Sequence, residues 1–370
     1  MNAELEEKTE RLTAMLVREN LSAVLLNAQH NFAWLTGGGS NGIDLSRENG
    51  AASLLVTRKG KRYLVSNNIE MPRMLAEEIS TNDFEPVEFT WESEKAVGDL
   101  ALRKVSELVD GEIATDLSLF AGTRSIESKI ATCRYKLTTD ELVRYRALGR
   151  DSGAAIRRVI DKIEPGQTEL AIAEKLRHEL ASRGMISVVT LVAADERISR
   201  FRHPVPTLKP WSKTLLLVTC AKRGGLIASQ SRLVCMGEIP DELKTKTEAA
   251  AYVNACLLDA TRPAVTGAEL YTVAANAYAE KNFADEISKH HQGGAAGYKT
   301  REWVAHPKSA EIVQLDQPFA WNPSITGTKV EETWITTTDG IEIITESPDF
   351  PRITTVVNGR EYYSPGILSL

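Results

Sequence analysis

Histidine and arginine side chains in the second half of the chain are the residues best suited to chemistry. His203 lies in RFRHPVPT, His290 and His291 precede a Gly-Gly pair, and Arg301 lies in YKTREWVA. A neutral imidazole titrates at about pH 6.5, so it can take a proton from water and return it to a leaving nitrogen. An arginine fork pairs with a carboxylate through two parallel hydrogen bonds. These residue types favour proton transfer on a substrate that carries a carboxylate.

Each of these residues also has an ordinary structural interpretation. A lone histidine before a proline is often a surface or packing residue, and Arg301 could form a solvated pair with Glu302. His290 and His291 would suit a metal ion, but neighbouring residues on a strand point to opposite faces. We therefore expect one of the two to contact substrate, and we expect no metal ligand between them.

The composition excludes several classes of protein. At about 150 residues per domain, the 370 residues suggest two domains or three. The 44 basic and 50 acidic residues give a net charge of −6. That balance argues against a nucleic-acid binder. No apolar run reaches the roughly 18 residues of a membrane span, and the charged N-terminus lacks a signal peptide's apolar core. The four cysteines form no CxxC pair, which predicts neither a zinc site nor a disulfide framework. We expect a cytoplasmic protein.

The pattern of elements changes near residue 135. Residues 1–135 alternate helix and strand signals: a helix at 4–19, a hairpin around RKG at 58–60, and helices near 70–79 and 95–109. Residues 136–370 predict a long helix (138–163), a turn and a second helix (164–184), and strands at 187–194, 214–221 and 225–237. Two more helices (239–260 and 267–283) and closing strands follow. The chain is therefore predicted to have an α/β domain followed by an α+β domain that repeats a helix-pair-and-sheet arrangement.

Six segments of the second domain resemble the creatinase/aminopeptidase P (M24) superfamily, whose fold is called pita-bread. They are PGQTE (165–169), RHPVPT (202–207), LLLVTCAKRGGLIASQSR (215–232), HHQGGAAGY (290–298), FAWNPSI (319–325) and GTKVEETWITTTDGIEIIT (327–345). Their order and spacing match, and the resemblance covers essentially the whole chain. It implies a creatinase-type N-terminal domain at 1–135 and a pita-bread domain at 136–370.

The resemblance also implies a metal site that this chain has lost. Metallopeptidases of this fold hold two divalent metals through two aspartates, one histidine and two glutamates. The matching positions here are Val218, Ser229, Gly294 or Ala295, Asn322 and Glu331. Hard dications need several anionic oxygens or imidazoles, and only Glu331 remains. We expect no dinuclear centre and no cofactor.

The metal-free relative creatinase supplies a second set of implied roles. His203 matches its proton-transferring histidine, and Arg301 matches the arginine that binds the substrate carboxylate. One of His290 and His291 matches a substrate-binding histidine. Glu331 is expected to orient His203, substrate or water. Asn322 and Ser229 are expected to form hydrogen bonds with the reacting group. Because Ser229 and Asn322 replace carboxylates, a neutral amide or amidine fits better than a strong cation, as in the related ectoine hydrolase.

The N-terminal domain is expected to reach the partner's active site in a homodimer, as it does in creatinase relatives. The segment NFAWLTGGGSN (31–41) is the candidate for this contact, with Trp34 closing the pocket. The alternatives are a core tryptophan at a strand end and a plain flexible loop.

We thus expect a metal-independent hydrolase of a C–N bond in a small carboxylated compound. The alternatives are a non-catalytic binding protein of this fold, an Xaa-Pro peptidase with a non-standard metal site, and a lyase that uses the same histidine.

Overall fold

The computed structural model describes residues 2–370, which divide into two compact units. Residues up to Glu141 form the first unit and Leu142–Leu370 form the second. The division falls six residues beyond the boundary expected after residue 135 (141 against 135). Among the residues described, no helix is long and apolar enough to cross a membrane.

The first unit is built on one five-stranded sheet. Its elements are α1 (Ala3–Arg18), β1 (Ala23–Ala28), α2 (Gln29–Leu35), β2 (Asn49–Thr57), β3 (Arg62–Asn67), α3 (Met71–Arg73) with a π-helical turn at Met74–Glu78, β4 (Glu85–Phe89), α4 (Trp91–Ala96), α5 (Leu100–Ser106), β5 (Ile113–Thr115) and α6 (Glu127–Arg134). The strand order is β4-β3-β2-β1-β5. β2 and β3 pair antiparallel around the expected RKG turn, so that hairpin prediction is confirmed.

Two sequence predictions in this unit need correction. A single helix was expected at 95–109, but Gly98 lies between two shorter helices, α4 and α5, because glycine is a poor helix former. The segment around Trp34 was expected at a strand end or in a loop, and it is the helix α2 instead. Every residue of α2 from His30 to Leu35 is buried, so tertiary packing decides its conformation.

The second unit contains two main sheets. From α7 onward the elements are α7 (Thr139–Ile160), α8 (Glu169–Ala181), β6 (Ile186–Ala194), α9 (Arg197–Arg200), β7 (Thr214–Arg223), β8 (Leu226–Cys235), α10 (Asp241–Ala260), α11 (Gly267–Glu280), a 3₁₀ turn at Ala284–Ser288, β9 (Gly293–Ala295), β10 (Trp303–Val304), β11 (Pro318–Trp321), β12 (Ser324–Ile325), β13 (Thr328–Lys329), β14 (Glu332–Thr337), β15 (Gly340–Ile343), β16 (Arg352–Val357), β17 (Arg360–Pro365) and β18 (Ile367–Ser369). The sheets run β18-β8-β7-β6 and β10-β9-β11-β14-β15. The predicted order of helix pair, strands, helix pair and strands is confirmed.

Local signals explain where these helices begin. The Thr168 side chain accepts a hydrogen bond from the Ala171 amide at the start of α8. Thr266 and Glu269 form a complete capping box at the start of α11, which satisfies two backbone donors that the helix leaves open. These caps fix the two helix pairs that flank the sheets.

The two sheets of the second unit are joined at β8. The Ser231 amide donates to the Glu331 carbonyl at 3.1 Å, and the Thr333 hydroxyl donates to the Ser229 carbonyl at 2.9 Å. Within the hairpin, Cys220 lies opposite Ser229 and Val218 lies opposite Ser231. The junction therefore brings the start of β14 against the middle of β8.

A glycine pair lets three strands approach closely. A Cβ added at Gly293 would lie 2.1 Å from the Ala320 carbonyl oxygen, and one at Gly294 would lie 2.1 Å from the Trp303 carbonyl oxygen. No side chain fits at either position, because the obstacle is backbone. β9 can thus be central in its sheet only with glycine here.

Candidate active site

Six segments of the second unit deliver the expected site residues. Ser229 lies on β8, and Glu331 lies between β13 and β14. Asn322 follows β11, and Arg301 lies between β9 and β10. The histidines come from irregular backbone: His203 between α9 and β7, and His290 and His291 between the 3₁₀ turn and β9. The site is thus built from strand ends and the loops beside them.

Glu331 is the centre of a buried charge cluster. Its carboxylate accepts from the Lys329 ammonium at 2.7 Å, from the Arg301 guanidinium at 3.1 Å and from the Ser231 hydroxyl at 2.6 Å. Burial opposes ionisation of this carboxyl, but Lys329 and Arg301 outweigh it and lower the pKa of Glu331 to about 2. Two cations around one anion leave a local charge of +1.

The three histidines form a second cluster. The Nε2 atoms of His203 and His290 are 3.2 Å apart, and the rings of His290 and His291 stack with centroids 4.4 Å apart. Burial, helped by the positive charge of Lys329, lowers the pKa of His290 to about 2 and that of His291 to about 4. Burial and Lys329 also lower the pKa of His203. All three imidazoles are therefore neutral at pH 7.

Arg301 joins Ser229 to Glu331, and the Asn322 backbone amide donates to the carbonyl of Gln292, the residue after His291, at 3.0 Å. Ser229 and Asn322 are 0% and 2% exposed. The Arg301 guanidinium donates to the Thr300 carbonyl at 2.6 Å and lies 3.4 Å from the Ser229 hydroxyl. The Asn322 Oδ1 and the Arg301 Nε are buried without a hydrogen-bond partner among the residues described. Such atoms are costly to leave unpaired, and they mark where a ligand could bond.

The residues at the family's metal positions do not fit a dinuclear centre. Val218 packs with Leu216 and Leu233 in an apolar cluster, so it offers no ligand. Gly294 has no room for a side chain, which leaves Ala295, a buried methyl group, as the only one of the two alternatives that could carry one. The surviving Glu331 carboxylate is already bound by two cations and a hydroxyl.

The structure corrects the expected role of Glu331. It was expected to orient His203, substrate or water; its oxygens bind Lys329, Arg301 and Ser231, so the contact with His203 is not the one formed. The side chain that contacts His203 is His290. Glu331 therefore positions the two cations.

Three further expectations change. His290 and His291 do not lie on a strand, so the alternation that would separate them does not apply, and both rings lie near His203. Arg301 is only 11% exposed and pairs with Glu331 rather than forming a solvated pair with Glu302. Trp34 is fully buried, with the Lys8 ammonium 5.7 Å from its ring, which leaves no surface for closing a pocket and favours core packing.

Sequence reasoning missed three residues of the site. Lys329 was overlooked although it lies two residues before Glu331, a spacing that places both on one side of an extended segment. Ser231 lies two residues after Ser229 on β8, so the same spacing places it on the same side of the strand. Cys220 lies opposite Ser229 with its sulfur 3.2 Å from the hydroxyl oxygen, and burial raises the pKa of its thiol.

Comparison with known proteins agrees with this architecture. The model of the Creatinase/Prolidase N-terminal domain matches residues 8–148, and that of metallopeptidase family M24 matches residues 144–344. An Xaa-Pro dipeptidase from Lactobacillus delbrueckii subsp. lactis is 24% identical over 254 residues, which is 65% of this chain and 66% of that protein. The match thus spans just under two thirds of that relative's length.

Solved structures share the fold at low sequence identity. The prolidase from Pyrococcus horikoshii OT3 superposes with a TM-score of 0.77 at 18% identity, covering 92% of this chain and 98% of that one. The N-terminal domain of the FACT complex subunit SPT16 from chickpea superposes with a TM-score of 0.70 at 11% identity, covering 92% and 96%. The same fold therefore occurs in dipeptidases and in a subunit of a larger complex.

Fold and family models together define a creatinase-type N-terminal domain followed by a pita-bread domain. Because the M24 model matches residues 144–344, more than half of the chain, the chain belongs to metallopeptidase family M24.

Proposed function

We propose that this protein hydrolyses a C–N bond in a small compound with a free carboxylate, Xaa-Pro dipeptides being the first class to test. The observation that carries the proposal is the surplus positive charge beside three neutral histidines. Lys329 and Arg301 are almost fully buried, and Glu331 balances only one of them. A substrate carboxylate would supply the missing negative charge. Curated relatives named Xaa-Pro dipeptidase support this substrate class.

His203 supplies the proton chemistry in this proposal. Its neutral imidazole takes a proton from a water molecule while the water oxygen bonds to the carbonyl or amidine carbon. The imidazolium then returns the proton to the nitrogen as the C–N bond breaks. Burial and the nearby cations keep His203 neutral at pH 7, so it is ready to act as a base. His290, whose Nε2 lies 3.2 Å away, holds the ring in place.

The buried polar atoms hold the substrate. The free Asn322 Oδ1 accepts an N–H of the reacting group, and the Ser229 hydroxyl bonds the same group. Arg301 and Lys329 bind the carboxylate, while Glu331 keeps both cations in position. The family's dinuclear metal enters no step, because its donor set is absent here.

The test compares the unmodified chain with His203→Ala on Xaa-Pro dipeptides, small amides and cyclic amidines, with chelator present. We expect turnover to fall by about 10²- to 10⁴-fold in the variant, with an unchanged melting temperature. His178→Ala, an exposed histidine on α8, is the matched control and should keep full activity. Equal turnover in the unmodified chain and His203→Ala would remove His203 from the mechanism. Ligand-induced stabilisation without turnover would point instead to a binding protein.

A further inference from the structure

The three histidines form a constellation that the family's metal positions do not include. One ring nitrogen from each of His203, His290 and His291 lies within 4.8 Å of the other two. None of these residues occupies one of the five positions that hold metal in relatives. The cluster is therefore a separate question from the lost dinuclear centre.

The spacing of the nitrogens suits one shared ion. Zinc binds imidazole nitrogen at about 2.0–2.1 Å with tetrahedral geometry, which sets two ligand nitrogens roughly 3.3 Å apart. The Nε2 atoms of His203 and His290 are already 3.2 Å apart. His291 is exposed, so rotation of its side chain can bring its nitrogen to the same distance.

The surroundings leave the ion an open fourth position. His203 and His291 are both exposed, so water reaches the cluster. Glu331 cannot be the fourth ligand because Lys329, Arg301 and Ser231 already occupy its oxygens. An all-imidazole donor set selects zinc, copper or nickel over magnesium, calcium or manganese, which prefer oxygen. The nearby Lys329 and Arg301 charges weaken binding, which disfavours weakly bound ions further.

We propose that His203, His290 and His291 together bind one borderline transition-metal dication, with Zn²⁺ as the representative ion. The metal uses the His203 lone pair, so the loaded protein cannot use that nitrogen to take a proton from water. Zinc is then an inhibitor of the hydrolysis proposed above, and this second part rests on that proposed function.

The binding test uses the full-length, tag-free protein after removal of metals with chelator. Calorimetric titration with ZnCl₂ should give one ion per chain, and CoCl₂ should give the visible absorption bands of tetrahedral cobalt. His290→Gln and His291→Gln should each weaken zinc binding at least tenfold, while His178→Gln should leave it unchanged. MgCl₂ should give no saturable binding.

Any of three results would overturn the site. One is no saturable zinc binding by the unmodified chain. Another is binding that neither His290→Gln nor His291→Gln weakens although both variants keep the circular dichroism spectrum of the unmodified chain. Binding of two ions per chain would also contradict it.

Activity measurements separate this inference from the proposed function. Stoichiometric ZnCl₂ should abolish turnover, and excess chelator should restore it. Turnover that zinc binding leaves unchanged or raises would overturn the inhibition. If zinc binds to the three histidines but no candidate substrate turns over with or without chelator, the site stands and the hydrolase proposal fails. If substrate turns over in the presence of chelator and zinc does not bind, the hydrolase proposal stands and the zinc site fails.

Discussion

Two adjacent buried glutamates, Glu331 just before β14 and Glu332 as its first residue, differ in the number of cations that surround them. Glu331 and Glu332 are 3% and 2% exposed, and their carboxylates bind different cations. Glu331 has two cations, Lys329 and Arg301, and its pKa is lowered to about 2. Glu332 has one, Arg232 at 2.8 Å, and burial raises its pKa to about 7.

The difference separates a structural ion pair from a binding cluster. The Glu332–Arg232 pair is closed: Arg232 also donates to Ser347 and to the Thr345 carbonyl. Above about pH 7, where Glu332 is ionised, the two charges balance within the protein. The Glu331 cluster carries an extra positive charge and lies beside three histidines that are exposed or half-buried. A balanced pair needs no partner from outside, whereas a surplus charge is stabilised by an anionic ligand.

The largest expected effect comes from breaking the balanced pair. Arg232→Met leaves Glu332 buried without a cation, which costs about 3–5 kcal/mol in the free energy of unfolding. Urea denaturation followed by tryptophan fluorescence measures the loss. The double variant Arg232→Met with Glu332→Met should recover most of it, because neither charge then remains buried. A single variant as stable as the unmodified chain would contradict the structural role.

Removing a cation from the Glu331 cluster should weaken binding of the substrate carboxylate. Arg301→Met or Lys329→Met should lower kcat/KM about 10- to 100-fold, mainly through KM, since a hydrogen bond to a charged group contributes about 1.5–3 kcal/mol. Steady-state kinetics on a dipeptide and on its C-terminal amide checks this. The amide should be the poorer substrate for the unmodified chain, and the preference should largely vanish in either variant. An unchanged preference would show that the carboxylate binds elsewhere.

The same Lys329→Met substitution should cost less stability than Arg232→Met. Glu331 keeps Arg301 and the Ser231 hydroxyl, so we expect a loss of about 1.5 kcal/mol, that of one charged hydrogen bond. Urea denaturation of the two variants side by side gives the comparison. A loss as large as that of Arg232→Met would mean that Arg301 does not compensate.

A pH dependence of opposite sign is expected for the two glutamates. The lowered pKa of Glu331 stabilises the fold above about pH 4.5, and this is lost as the pH falls towards 2. The raised pKa of Glu332 opposes folding increasingly as the pH rises from 4.5 through about 7. Melting temperatures of the unmodified chain, Glu331→Gln and Glu332→Gln, measured between pH 3 and 8, test both pH dependences.

The advantage of the unmodified chain over Glu331→Gln should grow between pH 3 and 5 and then stay level. Its advantage over Glu332→Gln should shrink between pH 5 and 8. Parallel curves for the two variants would contradict the assignment of the shifts.

Motifs and periodicity predicted the long helices and the RKG hairpin. They also named candidate site residues, but not Lys329, Ser231 or Cys220, and not the contacts among the candidates. His203, His290 and Arg301 could be proposed as site residues because their residue types and motif positions can be read from the sequence alone. The two-residue spacing of Lys329 and Glu331 was a signal that was overlooked, whereas the stacking of His290 on His291 depends on backbone that follows no period. Trp34 lies in a helix whose local sequence did not indicate one, because burial on all sides overrides propensity there.

The glycine pair in β9 and the ammonium of Lys329 together make a two-metal centre hard to build in this chain. Reinstalling aspartates at Val218 and Ser229 and a glutamate at Asn322 would still leave Lys329 bonded to Glu331. A histidine could be introduced only at Ala295, since the backbone of Trp303 blocks position 294. An engineer seeking to convert this protein into a two-metal peptidase must therefore remove a cation as well as add ligands. Variants that only add ligands should remain without two metals.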